Sequence, residues 1–395
     1  MVEYFDLSDV KMPKNTTCMT SIISNMKIDS YELSISLFDT CQLHCDFCFQ
    51  AHKKPIDLDY IKSIPSKVIA IVPRLKKYET KTLYIRMWGG ELFHDGIDES
   101  MFDVYQSLCD DLIKAFHQEL PDLNIVFNYM SNGSWSKHRE RVWKLLQDNN
   151  ATIGFSYDPV GRFPTKELKQ KMIDNARFFY EKQGHMNLAM TTTKRNIMCL
   201  LNEEDEFLKN FPKEYSLEIN YYIPGYDWEI NLPNDDLIYD MWMYFLKHNM
   251  FNCKSLKSYI EPIVYPGRQV FSTCGCKCSD QFSNNCLIRD CIKRTSLLPS
   301  TDFYGDLSKE MTDNNAQEIK NYLGTIKRGC MCCPNMSRCA WICFSSILFK
   351  EYKATNCPIS RLIDYVDEHR EEVKEQLERF DKEYDLSKVF YNPSK

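Results

Sequence analysis

The sequence lacks any apolar run near the ~20 residues that a membrane-spanning helix needs. Its start, Met1 to Asp6, has neither the basic residues nor the apolar stretch of a secretory signal peptide. No internal repeat, low-complexity tract or proline-rich linker separates flexibly joined parts. These absences predict a cytoplasmic protein that does not enter a membrane.

The chain also lacks an excess of positive charge, since 49 Lys and Arg residues stand against 55 Asp and Glu residues, a net charge of −6. It therefore has no global attraction for nucleic-acid phosphates, although a local basic groove stays open as an alternative. Hydrophobic residues make up 44% and charged residues 26%, which are globular rather than disordered values. A chain of 395 residues can hold one large domain and a smaller one.

What the sequence does have is cysteine, 18 residues in all. In a reducing compartment, so many cysteines favour metal binding over disulfides. Their distribution agrees, because they concentrate in an early loop and in the stretch from Cys274 to Cys357.

The early loop has the spacing Cys41-x3-Cys45-x2-Cys48. Electron-transfer iron–sulfur clusters take four cysteines, so three thiolates in one short loop would leave one iron open to a small molecule. A zinc knuckle or three core cysteines are the alternatives.

This spacing, with Phe47 just before the third cysteine, resembles the signature of the radical S-adenosylmethionine (radical SAM) enzymes. The resemblance implies a [4Fe–4S] cluster on Cys41, Cys45 and Cys48 whose free iron binds S-adenosylmethionine (AdoMet). One electron from the cluster would then cleave AdoMet to methionine and a 5′-deoxyadenosyl radical.

Two further motifs each follow a predicted strand. Gly89, Gly90 and Glu91 follow the strand 82–88 and resemble the family's GGE motif, which implies binding of the AdoMet amino group; glycines there allow close backbone approach. Ser131 and Asn132 open a Ser-Asn-Gly segment that resembles one near the AdoMet ribose. Ordinary turns are the alternative for both motifs.

The strand 151–157 includes Ser156 and Tyr157 and is followed by Asp158. This end is similar to the Ser-x-Asp stretch of relatives that act on peptides. The resemblance implies that Ser156 and Asp158 face the cavity. Asp158 is then a candidate proton acceptor or substrate partner, or else a turn cap, and Tyr157 a candidate hydrogen-atom donor. Arg195, after the strand 186–193, could pair with the AdoMet carboxylate or be a solvated surface residue.

The order of strands and helices predicts an α/β fold, a partial (β/α)6 TIM-type barrel with an open side for a large substrate. Polar and apolar residues alternate over 30–37, as in a half-buried strand that leads into the cysteine loop. The expected divisions are an N-terminal extension at 1–30, the radical SAM partial barrel at 31–253, an auxiliary-cluster domain at 254–360, and a C-terminal helix and tail at 361–395.

The second group of cysteines resembles the SPASM domain, which carries two auxiliary [4Fe–4S] clusters in many radical SAM maturases. The spacing that resembles its latter half is Cys330-x2-Cys333-x5-Cys339-x3-Cys343, followed by Cys357. In the front half, Cys276 and Cys291 match if Cys286 replaces the family's glycine.

The resemblance implies two ligand sets. One comprises Cys291 and Cys343 with two of Cys274, Cys276 and Cys278, a choice that the departure at Cys286 leaves open. The other comprises Cys330, Cys333, Cys339 and Cys357. Two zinc sites built from the same thiolates are the alternative.

Relatives of this type suggest modification of a ribosomally made peptide or a protein by a crosslink, a thioether or an oxidation. An electron donor such as flavodoxin or ferredoxin is implied. The first 30 residues are expected to be too few for a leader-peptide-binding domain. Alternatives are radical modification of a nucleotide, nucleic-acid base or small metabolite, and a non-catalytic zinc- or cluster-binding protein.

Overall fold

The computed structural model describes residues 30–48, 56–220, 222, 231–265, 279–283, 286–289, 333–335, 339 and 357–384. For 279–283 and 286–289 it describes the backbone alone.

Eight strands form one sheet within the described residues. They are β1 (Ser30–Ser36), β2 (Thr82–Trp88), β3 (Asn124–Ser131), β4 (Ala151–Ser156), β5 (Asn187–Thr191), β6 (Ser216–Asn220), β7 (Ser279–Ser283) and β8 (Cys286–Arg289). Their spatial order is β6-β5-β4-β3-β2-β1-β7-β8. Strands β1 to β6 are parallel neighbours in chain order and curl into a half-barrel. The predicted partial barrel is confirmed.

The helices of the described chain lie between and after these strands. They are α1 (Leu58–Val68), α2 (Val72–Lys77), α3 (Ser100–Glu119), α4 (Arg139–Asp148), α5 (Lys166–Gln183), α6 (Lys194–Leu201), α7 (Glu206–Lys209), α8 (Asp235–Lys247), α9 (Lys254–Val264), α10 (Pro358–Glu368) and α11 (Arg370–Glu383). A 3-10 turn, Ile69–Ile71, joins α1 to α2. None of the described helices combines the length and the apolar character needed to cross a membrane.

The alternation in β1 determines which face is buried. Tyr31, Leu33 and Ile35 are at most 1% exposed and join the core beneath the helices. The intervening Glu32 lies on the opposite face, where its carboxylate is 3.4 Å from Arg86 of β2. The apolar face therefore packs against helices, while the other face carries polar side chains.

Strand β7 extends the sheet beyond the barrel. It runs parallel to β1 with Glu32 opposite Ser279, and β8 returns antiparallel to it. Since β1 pairs with β2 on its other side, it is an interior strand rather than an edge. The cysteine-rich part of the sequence thus contributes strands to the same sheet as the barrel.

The C-terminal helices pack against the barrel. Arg361 of α10 lies 2.6 Å from Asp236 of α8, with its guanidinium 3.9 Å from the ring of Tyr239. Lys257 of α9 lies 2.8 Å from Asp381 of α11. Helices α10 and α11 are thereby fastened to α8 and α9.

Several elements differ from the sequence expectation. The single C-terminal helix expected within 361–395 is instead two helices, divided at His369, where the backbone leaves the helical region with φ −111° and ψ 25°. Helices α6, α8 and α9 were not anticipated. For α8 a signal exists, since Asn234 caps it and Asp235 and Asp236 occupy its first turn.

Candidate functional site

The cysteine loop begins where β1 ends. Cys41, Cys45 and Cys48 are half-buried and form no disulfide, while Leu43 and Phe47, at 1% and 7% exposed, anchor the loop in the protein. Because the strands are parallel, the loops after β2, β3 and β4 lie at the same edge of the sheet. The predicted motifs are therefore brought together there.

Gly89 and Gly90 pack against the start of this loop. The amide of Gly90 donates to the carbonyl of Phe38 at 2.7 Å, and the amide of Glu91 donates to that of Thr40 at 2.8 Å. A Cβ on Gly90 would lie 1.9 Å from the Thr40 oxygen, and one on Gly89 would lie 2.6 Å from the Phe38 oxygen. The missing side chains of the two glycines allow close approach of the cysteine loop, while the predicted contact of the motif with AdoMet stays a prediction.

Glu91 joins the second motif to the third. Its side chain is fully buried and accepts hydrogen bonds from Ser131 Oγ at 2.7 Å, the Asn132 amide at 2.5 Å and the Phe93 amide at 3.1 Å. Burial raises the pKa of Glu91 to about 7, and these three donors oppose the rise. Since Ser131 Oγ also accepts from the indole of Trp135 at 2.9 Å, both carboxylate and hydroxyl are committed to protein partners.

The side chain of Asn132 reaches the first cysteine. Its Nδ2 lies 3.6 Å from Cys41 Sγ, and its amide exchanges hydrogen bonds with that of Gln42 at 3.4 and 3.5 Å. The Cys41 sulfur also accepts from the Leu43 amide at 3.4 Å. Hydrogen bonds to a cysteine sulfur stabilise its thiolate form, so Asn132 and Leu43 are placed to support Cys41 as a ligand.

The thiols are costly to ionise without a cation. Burial raises the pKa of Cys41 to about 12, with repulsion from Glu91, Cys45 and Cys48 adding to it. Burial likewise raises the pKa of Cys45 to about 11, against the favourable charge of Arg162. Metal binding requires thiolates and compensates their charge, which suits a donor set of three soft sulfurs.

Within the described residues, no three His, Cys, Asp or Glu side chains converge so as to hold a single metal ion. A [4Fe–4S] cubane sets its irons at separate corners, and each thiolate binds a different iron. Cys41, Cys45 and Cys48 need not meet at one point to hold it.

The residues at the end of β4 point in two directions. Ser156 is half-buried at the last strand position. Tyr157 is fully buried, donates to Asp205 at 2.8 Å and packs its ring on Phe207. Burial, with the neighbouring Asp205 carboxylate, raises the pKa of Tyr157 well above its ordinary value. This placement favours a structural role for Tyr157 over hydrogen-atom donation, and strand alternation was the signal that could have shown it.

Asp158 is fully buried and every partner donates to it. It accepts from the Thr191 amide at 2.6 Å, from Asn196 Nδ2 at 2.9 Å and from Arg162 Nε at 2.6 Å. Asn196 also donates to the Thr191 carbonyl at 3.0 Å. The carboxylate thus ties the loop after β4 to the end of β5.

Arg162 was not identified from the sequence, although it lies only four residues after Asp158. Its guanidinium carbon is 5.4 Å from the centre of the Phe47 ring, and its backbone oxygen is 4.0 Å from Cys45 Sγ. Although burial opposes it, the charge of Asp158 raises the pKa of Arg162 above its ordinary value. The site therefore contains a cation beside the thiols.

Arg195 lies at the start of α6 and forms an ion pair with Asp46, inside the cysteine loop. Gly161 packs closely beneath the same carboxylate, since a Cβ there would lie 2.5 Å from Asp46 Oδ1, and its φ of +83° also favours glycine. The predicted contact of Arg195 with AdoMet stays a prediction, but its position beside the loop is clear.

Three of the predicted auxiliary ligands fall within the described residues. Cys357 is buried just before α10, Cys333 Sγ lies 3.6 Å from Ser360 Oγ in the first turn of that helix, and Cys339 packs against the core. Asn335 holds this segment by donating to Ser360 Oγ at 2.9 Å. The other predicted auxiliary ligands, Cys274, Cys276, Cys291, Cys330 and Cys343, lie outside the described residues.

No family model and no curated protein matches the chain. Among solved structures, the chain resembles anSMEcpe with bound AdoMet, with a TM-score of 0.58 and 15% identity over 89% of this chain and 99% of that one. The chain has the fold of anSMEcpe. A structure of that protein with AdoMet and Cp18Cys peptide gives 0.58 and 16% over the same shares. Both of these anSMEcpe structures contain bound AdoMet, and what this chain shares with them is the fold.

A weaker similarity is to SuiB from Streptococcus suis bound to precursor peptide SuiA, with a TM-score of 0.49 and 16% identity over 86% of this chain and 76% of that one. At that TM-score the similarity to SuiB does not establish a shared fold.

Proposed function

We propose that this chain is a radical SAM enzyme that reductively cleaves AdoMet and modifies a peptide or protein. The observation that carries the proposal is the packing of the cysteine loop against Gly90. A Cβ there would lie 1.9 Å from the Thr40 oxygen, so the GGE and cysteine motifs are fitted to each other rather than coincident turns. They lie on a fold also found in a protein solved with AdoMet bound.

Cys41, Cys45 and Cys48 would hold the [4Fe–4S] cluster, and their three soft sulfur donors fit iron. When bound, the cluster and AdoMet supply a 5′-deoxyadenosyl radical that takes a hydrogen atom from a substrate C–H bond. The chain's own residues hold the loop: Glu91 joins two motifs, and Asn132 lies against Cys41.

A peptide or protein substrate is supported by the bound Cp18Cys peptide in the structure of anSMEcpe and by the open side of a half-barrel. The resulting bond, whether a crosslink, a thioether or an oxidation product, belongs to this proposal without a choice among them. A low-potential donor such as flavodoxin or ferredoxin would supply the electron.

We extend the proposal to two auxiliary clusters within the predicted domain 254–360. Cys333, Cys339 and Cys357 would be joined by Cys330 in one cluster. The other would use Cys291 and Cys343 with two of the three cysteines at 274, 276 and 278. The first set is supported by the position of Cys357 just before α10 and of Cys333 Sγ 3.6 Å from Ser360 Oγ in the first turn of that helix.

The test measures 5′-deoxyadenosine from AdoMet after anaerobic reconstitution of the full chain with iron and sulfide, using dithionite as reductant. We expect product from the wild type and from Cys199→Ala, a control because Cys199 is a buried cysteine outside the proposed ligand sets. Cys45→Ala should abolish it. A wild type without product, or a Cys45→Ala variant that retains it, would disprove the proposal.

The substrate class is tested separately by mass spectrometry. The reconstituted enzyme is incubated with peptides encoded beside its gene, and in parallel with oligonucleotides. A mass change in a peptide that requires AdoMet supports the proposal, whereas a change confined to oligonucleotides supports the nucleic-acid alternative. Tight zinc binding with intact AdoMet would support the non-catalytic alternative.

A further inference from the structure

The ion pair between Asp158 and Arg162 lies beside the cysteine loop and is almost completely buried. The Asp158 side chain is 0% exposed and that of Arg162 is 14% exposed, with Nε and Oδ2 separated by 2.6 Å. A buried ion pair is weak evidence for stability, because desolvation offsets its attraction. The position of this ion pair beside the cysteine loop therefore suggests a role other than stabilising the fold.

Three contacts hold the carboxylate in place. Asp158 accepts from the Thr191 amide and Asn196 Nδ2 in addition to Arg162. Asn196 is itself fixed, because its Oδ1 accepts from the Val160 amide at 3.0 Å. The charge pair is therefore a rigid part of the protein.

The guanidinium is held against the loop between the second and third cysteines. The guanidinium carbon lies 5.4 Å from the centre of the Phe47 ring, a cation–π distance. The backbone oxygen of Arg162 lies 4.0 Å from Cys45 Sγ. After burial, the charge of Arg162 is the largest influence on the pKa of Cys45, and it exceeds the opposing influence of Asp158. Of the two charges, the cation thus acts more strongly on Cys45.

We propose that Arg162 and Asp158 form a buried charge pair that sets the reduction potential of the cluster on Cys41, Cys45 and Cys48, with Arg162 raising it and Asp158 lowering it. This inference rests on the proposed function. One electron from a reduced flavodoxin- or ferredoxin-type donor takes [4Fe–4S]2+ to [4Fe–4S]+ and leaves that donor oxidised by one electron. The added negative charge is stabilised by a nearby cation and destabilised by a nearby carboxylate.

The test is an EPR-monitored redox titration of the reconstituted full chain without AdoMet. The relevant signal is the one that is absent from Cys45→Ala. We expect Arg162→Gln to shift the midpoint potential to more negative values, Asp158→Asn to shift it to more positive values, and Arg162→Lys to keep it near the wild type. The control Arg141→Gln, which breaks an exposed ion pair on α4, should leave it unchanged.

Opposite shifts of the midpoint potential in Arg162→Gln and Asp158→Asn distinguish an effect of charge from a structural effect. A loosened loop would shift the potential of both variants in the same direction. If Asp158→Asn does not fold, a negative shift in Arg162→Gln that Arg162→Lys reverses still supports the inference. An unchanged potential in Arg162→Gln with full iron content overturns it. A wild type that binds no cluster overturns the proposed function instead, and the inference with it.

Discussion

Gly90 shows how strongly one residue constrains the cysteine loop. Its amide hydrogen-bonds to Phe38, and its missing side chain leaves room for Thr40. Phe38 and Thr40 cannot move away easily, because the contacting atoms belong to the backbone that leads from β1 into the cysteines. Close backbone packing at this point thus determines where the loop begins.

We predict that Gly90→Ala displaces the cysteine loop, because its Cβ would lie 1.9 Å from the Thr40 oxygen. Overpacking of this kind costs about 1–3 kcal/mol or more. Iron content after reconstitution should fall, and so should the free energy of unfolding. Gly96→Ala is the matched control, since its Cβ would meet only the His94 ring, at 3.3 Å. Equal iron in the two variants would contradict the prediction.

Glu91 is expected to make stability depend on pH. Burial raises its pKa from 4.5 to about 7, so between these values the unfolded chain ionises while the folded chain keeps its proton. The stabilising contribution is full below about pH 4.5 and is lost as the pH rises to about 7, by about 3 kcal/mol.

Denaturant midpoints between pH 4.5 and 8 measure this effect as the difference between the wild type and Glu91→Gln, which cannot titrate. The wild type should lose stability relative to the variant as the pH rises. A difference that stays constant over this range would show that Glu91 is ionised throughout.

At the scale of elements, the segment around Asn335 joins the cysteine-rich region to α10. Its Nδ2 donates to Ser360 Oγ at 2.9 Å and to Asp364 Oδ1 at 2.7 Å, and the residue is 1% exposed. Cys333, two residues earlier, lies against the same Ser360. One buried amide therefore positions a proposed cluster ligand.

We predict that Asn335→Ala costs about 1–3 kcal/mol, because the buried oxygens of Ser360 lose their donor. It should also lower the iron content by about four atoms per chain, one [4Fe–4S] cluster. Formation of 5′-deoxyadenosine should continue, since the cysteine loop is not touched. Asn210→Ala, which removes an exposed amide bonded to Glu206, is the control and should keep all its iron.

At the scale of the whole molecule, the barrel depends on the residues that follow it. Strand β7 pairs with β1, and α10 and α11 bind α8 and α9 through Arg361 and Lys257. Without them, β1 would become an exposed sheet edge, and edges of this kind promote association.

We therefore predict that a chain ending at Tyr265 is aggregated or strongly destabilised, as seen by size-exclusion chromatography and thermal unfolding. A chain ending at Tyr384 keeps these contacts and is the control, expected to stay monodisperse. A stable monomer from the shorter chain would show that the barrel folds on its own.

Much of the fold and the location of the site could be read from the sequence. Alternating residues predicted β1, and the motifs following β2, β3 and β4 were placed correctly at strand ends. In a parallel sheet all strands run in the same direction, so every strand's carboxyl end lies on the same edge. Position after a strand is then enough to bring distant residues together.

Individual contacts were decided by the tertiary structure alone. Arg162 lies in an irregular loop with no periodicity, and its role depends on Asp158, Asn196 and Phe47 meeting from separate segments. The close packing of Gly90 against Thr40 is likewise a contact that the sequence did not show. The sequence by itself determined which loops meet, because strands that alternate with helices along the chain pair in parallel. The fold decided which atoms touch, because loop conformation depends on packing between residues far apart in the chain.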